Sequence, residues 1–237
     1  RGTATHQQLA RPHGATLLDQ TAVRSIRDVG GEVEVHTDGG IFRCGRLIIA
    51  ADAWTNDLLQ HLGVQLPLTI TQEQVTYFAS PHYGDYAPDR FPVWIWMDEP
   101  CFYGFPLYGE PAVKVAQDVG GREVTAQTRT FEPDPAILLR TEEFLRGHLP
   151  SALGPVHYSK TCLYTMTPDR DFVIDTVPVH PHIAVGLGAA HGFKFASVIG
   201  RLLAGLAGFG PVDADLTPFA MDRPILLEEN PARSFLI

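Results

Sequence analysis

The residues best placed for chemistry form a turn of small residues, Gly188-Ala189-Ala190-His191-Gly192, followed directly by Phe193 and Lys194. An apolar run of strand length, Ile183 to Leu187, leads into the turn. Apolar residues at Phe195, Val198, Ile199, Leu202, Leu203 and Leu206 follow at the spacing of one helix face. Gly208 and Gly210 stand where such a helix stops. A strand, a turn free of bulk and a helix N-terminus bring backbone N–H groups to a ligand, with the helix dipole favouring negative charge. The same pattern also describes an ordinary buried strand–helix pair, because a lone small-residue turn is a weak signal. Three other side chains could contribute: Tyr103 in a short aromatic strand, Lys114 in Ala112-Val113-Lys114-Val115-Ala116, and Cys162 in SKTCLYTMTPDRDFVID. Taken alone, Lys114 reads as a solvent-facing lysine and Cys162 as a small buried apolar residue.

The elements that must position these groups fall into three stretches. In the first, His6 to Arg11 has helical character that Pro12-His13-Gly14 ends, and Ala15 to Leu18 reads as a short buried strand. Thr21 to Ile26 is extended, Glu32 to Thr37 alternates as a half-exposed strand, and Asp38-Gly39-Gly40 turns it into Ile41 to Cys44. Arg46 to Ala51 reads as a fully buried strand, and Asp52-Ala53-Trp54-Thr55 opens a helix carrying Leu58, Leu59 and Leu62. The second stretch has serial strands without intervening helices: Leu66 to Ser80, Pro92 to Trp96, Cys101 to Phe105 and Ala112 to Ala116. That order indicates an antiparallel sheet, one face free for a ligand and the other for the helix of Pro133 to Leu149. The third stretch holds Thr165 to Asp169 as a loop and Phe172 to Asp175 as a core strand. It continues through the turn at Gly188, an extended connection from Asp213 to Pro224, and a loosely held tail from Glu228 to Ile237. The fold class is α+β, divided as 1–64, 65–155 and 156–237.

Composition excludes several partners. The chain has 237 residues, 45% hydrophobic and 19% charged, as in a globular protein with a substantial core. A net charge of −9 without any basic run argues against nucleic acid and anionic membranes. No apolar run is long enough to span a bilayer, and no signal-peptide pattern is present. Three scattered cysteines, Cys44, Cys101 and Cys162, support neither a disulfide framework nor a zinc site, and point to a cytoplasmic protein.

The wording of the motifs is more specific. HGFKFAS after a strand, followed by a helix and FAMDRP, resembles the C-terminal end of the sarcosine oxidase and N-methyltryptophan oxidase family of FAD-dependent amine oxidases. The resemblance implies a glutathione-reductase-like FAD fold with an antiparallel substrate domain, and a small-molecule amine or amino-acid substrate. It places the turn Gly188 to Gly192, with Phe193, on the flavin and gives Lys194 the substrate carboxylate. Lys114 is implied to sit by the flavin ring and activate oxygen, and Tyr103 to line the substrate pocket. Cys162 stands where the family bonds the flavin C8 methyl as a thioether, Val23 where a backbone bond meets the adenine, and Ala51 to Trp54 at a glycine-alanine-tryptophan turn. Two departures stand out. Asp52 replaces the glycine of that turn, which suits the family only if the side chain points away or caps the next helix. Asp118 replaces a histidine four places after Lys114, which implies a substrate other than sarcosine.

The family also has a G-x-G-x-x-G turn that holds the FAD pyrophosphate, and none follows a strand near the start of this sequence. The expectation is a truncated chain with impaired or absent flavin binding, its uncovered sheet edge favouring a homodimer. The alternative is a non-catalytic ligand-binding or subunit-interaction domain.

Overall fold

The computed structural model describes residues 2–234. In chain order its elements are α1 (Gly2–Ala10), β1 (Val23–Asp28), β2 (Val33–Thr37), β3 (Gly40–Cys44), β4 (Leu47–Ile49), α2 (Thr55–Leu59) and β5 (Thr69–Phe78). There follow β6 (Trp94–Trp96), β7 (Phe102–Phe105), β8 (Val113–Gln117), β9 (Arg122–Glu123) and α3 (Pro135–His148). The last are β10 (Val156–Met166), β11 (Val173–Val177), β12 (His180–Leu187), α4 (Ala196–Leu206) and α5 (Pro224–Leu227).

Three sheets result. The hairpin signal at Asp38-Gly39-Gly40 closes β2 onto β3, and β1 adds to give the order β1-β2-β3. The β-branched and aromatic run around Val75 makes β5 the centre of a six-stranded sheet, order β10-β5-β8-β7-β6 with β9 also on β5. A third sheet, β11-β12-β4, has β4 parallel to β12 at its edge. A core of Ile26, Val33, Ile49, Leu59, Val173 and Val185 joins the first and third sheets. A second core forms where Phe78, Phe102, Val113 and Val115 meet Phe144 and Leu145 of α3, with Phe102 stacked on Phe144 at 4.1 Å. The side chain of Asp134 caps α3 by accepting from Ala136 N. Sheet and helix therefore pack as the serial strands and the amphipathic run predict.

Several expectations need correction. Ala15 to Leu18 forms no strand and is exposed, because no neighbouring strand offers it a ladder. Arg46 to Ala51 is not fully buried: its strand is only β4, and Ile48 on this sheet edge is 39% exposed. Thr165 and Met166 belong to β10 rather than to a loop, since the ladder with β5 runs on to Met166↔Thr69. That ladder brings residues 156–166 into the six-stranded sheet, across the boundary drawn at 155. Leu202 and Leu203 of α4 are buried, but Val198 is exposed, as is Phe195, which belongs to a 3-10 turn over Gly192–Phe195 before the helix. The tail is pinned as far as it is described, by Ser234 N donating to Pro168 O at 2.7 Å and by Arg233 on Glu123 at 2.8 Å. The expectation for the final residues 235–237 lies outside the described residues.

The turn after β8 lies flat on β5. Buried Glu73 accepts from Gly120 N at 3.0 Å, from Gly121 N at 2.9 Å and from the Thr71 hydroxyl at 2.5 Å. A Cβ on Gly121 would lie 2.0 Å from the Gln72 carbonyl oxygen, which is backbone and cannot swing aside. Gly121→Ala is therefore expected to cost about 1–3 kcal/mol or more. The effect should read as a lower urea midpoint at unchanged slope, and an unchanged midpoint would show that the turn can lift.

Candidate functional site

The six-stranded sheet has two faces because side chains two apart point the same way. Register then decides which groups meet. Lys114 pairs with Phe105 on one side and Tyr77 on the other, and Tyr103 lies two residues from Phe105. Cys162 pairs with Glu73, and Tyr164 with Thr71. All of these share the face turned away from α3. Gly104 between Tyr103 and Phe105 has no room for a side chain, since a Cβ would stand 2.5 Å from the Trp94 ring.

Opposite this face stands the turn after β12. His191 N donates to Gly188 O at 2.9 Å and closes it. A Cβ on Gly188 would lie 2.9 Å from Gly192 Cα, so the turn admits nothing larger. Ala189 and Ala190 both take left-handed backbone, φ 42° and 74°, a strain of roughly 1–2 kcal/mol each. The close fit of α4 on β12 explains Gly186, whose Cβ would meet Leu203 Cδ1 at 2.5 Å.

Two cavities lie between sheet and turn. The first, about 360 Å³, has Tyr103, Phe105, Lys114, Asp118, His191 and Lys194 in its wall. The second, about 520 Å³, has Asp52, Cys162, Gly188, Gly192, Ala196 and Gly200 in its wall. They meet at Tyr164, Ala190 and Phe193, which line both.

The electrostatics follow from burial. Desolvation lowers the pKa of Lys114, opposed by the nearby Cys162 sulfur. The Lys114 ammonium lies 4.8 Å from the Phe105 ring centre and 5.5 Å from that of Tyr103, as a cation over π faces. Burial pushes Tyr103 up to about 12 and raises Tyr164 as well. Both phenols are thus neutral donors, their oxygens 3.5 Å apart. Burial, and then the charge of Glu73, raise the Cys162 thiol, against the pull of Lys114 and Arg129. Desolvation lowers His191, whose Nε2 is 3.0 Å from Arg170 O. A carbonyl only accepts, so Nε2 carries the proton. Lys194 is exposed at the rim and donates to His191 O at 3.2 Å.

Of the residues singled out in the sequence, Tyr103, Lys114, Ala190, His191, Phe193 and Lys194 gather at the first cavity. Cys162, Gly188, Ala190, Gly192 and Phe193 gather at the second. Ala189 is fully buried within the turn. Val23 begins β1, and neither it, Ala51 nor Trp54 lines either cavity. Asp52 departs from its expectation. It neither caps α2 nor turns away, but borders the second cavity, where desolvation raises its carboxyl and Thr165 opposes the rise. The residue missed is Arg170, whose Nη1 donates to Asp118 Oδ2 at 2.8 Å in an almost wholly buried pair. No spacing rule joins residues 118 and 170. The only local sign is the turn Thr167-Pro168-Asp169-Arg170, in which Arg170 takes φ 63°.

Sheet and turn thus enclose two adjoining cavities. The family model for FAD dependent oxidoreductases (DAO) matches residues 3–206, and the chain belongs to that family. Within it, monomeric sarcosine oxidase of Bacillus sp. (strain NS-129) is 31% identical over 228 residues, covering 94% of this chain and 59% of the relative. N-methyl-L-tryptophan oxidase of Escherichia coli O81 (strain ED1a) is 33% identical over 221 residues, 91% of this chain and 58% of the relative. Among solved structures, NikD, an unusual amino acid oxidase essential for nikkomycin biosynthesis, superposes at TM-score 0.78 with 27% identity, covering 90% of this chain and 57% of that one. L-proline dehydrogenase from P. horikoshii has the same fold at TM-score 0.77 and 21% identity, over 92% and 57%. The chain thus spans about three-fifths of the length of the curated relatives it matches. No helix among the described residues is long and apolar enough to cross a membrane.

Proposed function

We propose that the whole protein is an FAD-dependent oxidase of the C–N bond of an amine or N-methyl amino acid, with dioxygen as final acceptor. The observation that carries this reading is the junction of two cavities at Tyr164, Ala190 and Phe193, with Lys114 in one and Cys162 in the other. The second cavity suits a flat ring. Its wall holds Gly186, Gly188, Gly192 and Gly200, none of which brings a side chain to the cavity. Bound flavin supplies the acceptor for a hydride equivalent from the carbon next to nitrogen.

The protein's own groups then take the following roles. Lys194 holds the substrate carboxylate by a charge-assisted bond. Neutral Tyr103 and Tyr164 line and orient the substrate. Lys114 offers positive charge where oxygen is reduced, and Cys162 tethers the flavin. Backbone in the turn Gly188–Gly192 packs against the ring, while Val23, Ala51 and Trp54 belong to the dinucleotide end. This 237-residue polypeptide contains no G-x-G-x-x-G after an early strand, so on its own it should hold FAD weakly. The second reading, a non-catalytic binding or homodimerising module, draws on the strand edges at β4 and β6. A cytoplasmic location, with Cys44 and Cys101 as free thiols, fits either reading.

Anaerobic addition of an N-methyl amino acid to the FAD-loaded protein tests the proposal. The visible flavin band should bleach and return with air, yielding hydrogen peroxide. A flavin band unchanged by a panel of amines and amino acids would favour the non-catalytic module.

A further inference from the structure

The first cavity carries two lysines but a single carboxylate, Asp118. Asp118 is 8% exposed. Arg170 occupies its Oδ2, and among the described residues the other oxygen takes no hydrogen bond. Its position is fixed from the backbone too, Asp118 N donating to Cys101 O at 2.9 Å. The charge works within the cavity and not only on Arg170. It opposes ionisation of Tyr103, Tyr164 and Cys101 and favours protonation of His191. That second Asp118 oxygen is not among the fully buried polar atoms left without a partner, so it is open to a donor from a ligand.

The rest of the wall indicates what that ligand carries. Lys194 stands at the rim, and Val93, Ile95 and Met97 form an apolar strip, each more than half exposed to solvent or ligand. We propose that Asp118 is the amine-binding residue of this cavity. Its unengaged oxygen accepts the N–H of a zwitterionic secondary amino acid whose carboxylate lies at Lys194 and whose bulky apolar side chain covers Val93, Ile95 and Met97. This rests on the oxidase reading above. The carboxylate charge also complements the ammonium of the bound amino acid. Arg170 holds the Asp118 carboxylate in its orientation through the 2.8 Å contact. Sarcosine, which has no side chain, would leave the apolar strip uncovered.

Anaerobic calorimetric binding to the protein loaded with reduced FAD, which cannot oxidise the amine, distinguishes the outcomes, using N-methylphenylalanine and its neutral isostere 2-methoxy-3-phenylpropanoate. Wild type should prefer the amine by on the order of tenfold or more, the value of a buried charge-assisted bond. Asp118→Asn should bring the two ligands within about twofold, mainly by weakening the amine. Because Asp118→Asn also removes the carboxylate that Arg170 contacts, the double variant Asp118→Asn/Arg170→Gln is measured alongside and should show the same loss of preference. Wild type binding both ligands equally, or either variant keeping the preference, overturns the assignment. Wild type binding neither ligand sinks the oxidase reading along with it.

Discussion

Arg170→Met should be the most damaging single substitution at the site, lowering folding stability by about 3–5 kcal/mol. The guanidinium and the Asp118 carboxylate are 1% and 7% exposed, and their contact is 2.8 Å. Removing the cation leaves an uncompensated charge in a dry wall, and that penalty exceeds what the intact pair contributes relative to apolar residues. The damage should reach the turn as well, since Arg170 O receives His191 Nε2. Arg24→Met provides the contrast. Its partner Asp38 is 2.7 Å away, but both side chains are more than half exposed, and no measurable change is expected. Urea denaturation of the two variants against wild type decides the point. A similar small shift in both would show that water reaches the Asp118 pair.

The second large effect concerns Lys114→Met in the FAD-loaded protein. Reoxidation of reduced flavin by dioxygen should slow by on the order of 10²–10³, the usual loss of one preorganised charge in an excluded site. Anaerobic reduction by substrate should change only slightly, because Lys114 faces the rings of Phe105 and Tyr103 rather than the rim where Lys194 stands. Since desolvation lowers the Lys114 pKa, the ammonium loses its proton below the ordinary lysine range. Wild-type reoxidation should therefore be fast at neutral pH and fall as pH rises through that lowered value, and Lys114→Met should be slow and flat. Equal slowing of both half-reactions would assign Lys114 to substrate binding instead.

Local pattern made much of this site legible. The β-branched and aromatic run LPLTITQEQVTYFAS reads as a strand, and serial strands indicate an antiparallel sheet, so a helix-backed sheet follows from the sequence. Tyr103 and Lys114 meet because β7 and β8 are adjacent strands of one hairpin. Cys162 reaches the same face only through its register with Glu73, 89 residues earlier, which no local rule supplies. Asp118 and Arg170 are likewise joined by tertiary packing alone. Ala15 to Leu18 has strand-like residues, yet strand propensity without a ladder partner is not a strand. Asp52 could be flagged as an acid in a small-residue turn, but its direction depends on the φ of 45° that its backbone adopts.

The central claim is that the glycine-walled cavity beside Cys162 holds the flavin, with the substrate on the Lys114 side. Mass spectrometry of tryptic peptides from the FAD-loaded protein tests it most directly. Cleavage after Lys160 and Arg170 releases Thr161–Arg170, which contains one cysteine, Cys162. This peptide should carry the added mass of the flavin and its yellow absorbance, while the peptides with Cys44 and Cys101 should not. Flavin attached to Cys44 or Cys101, or found with every cysteine unmodified in a fully loaded protein, would contradict the account.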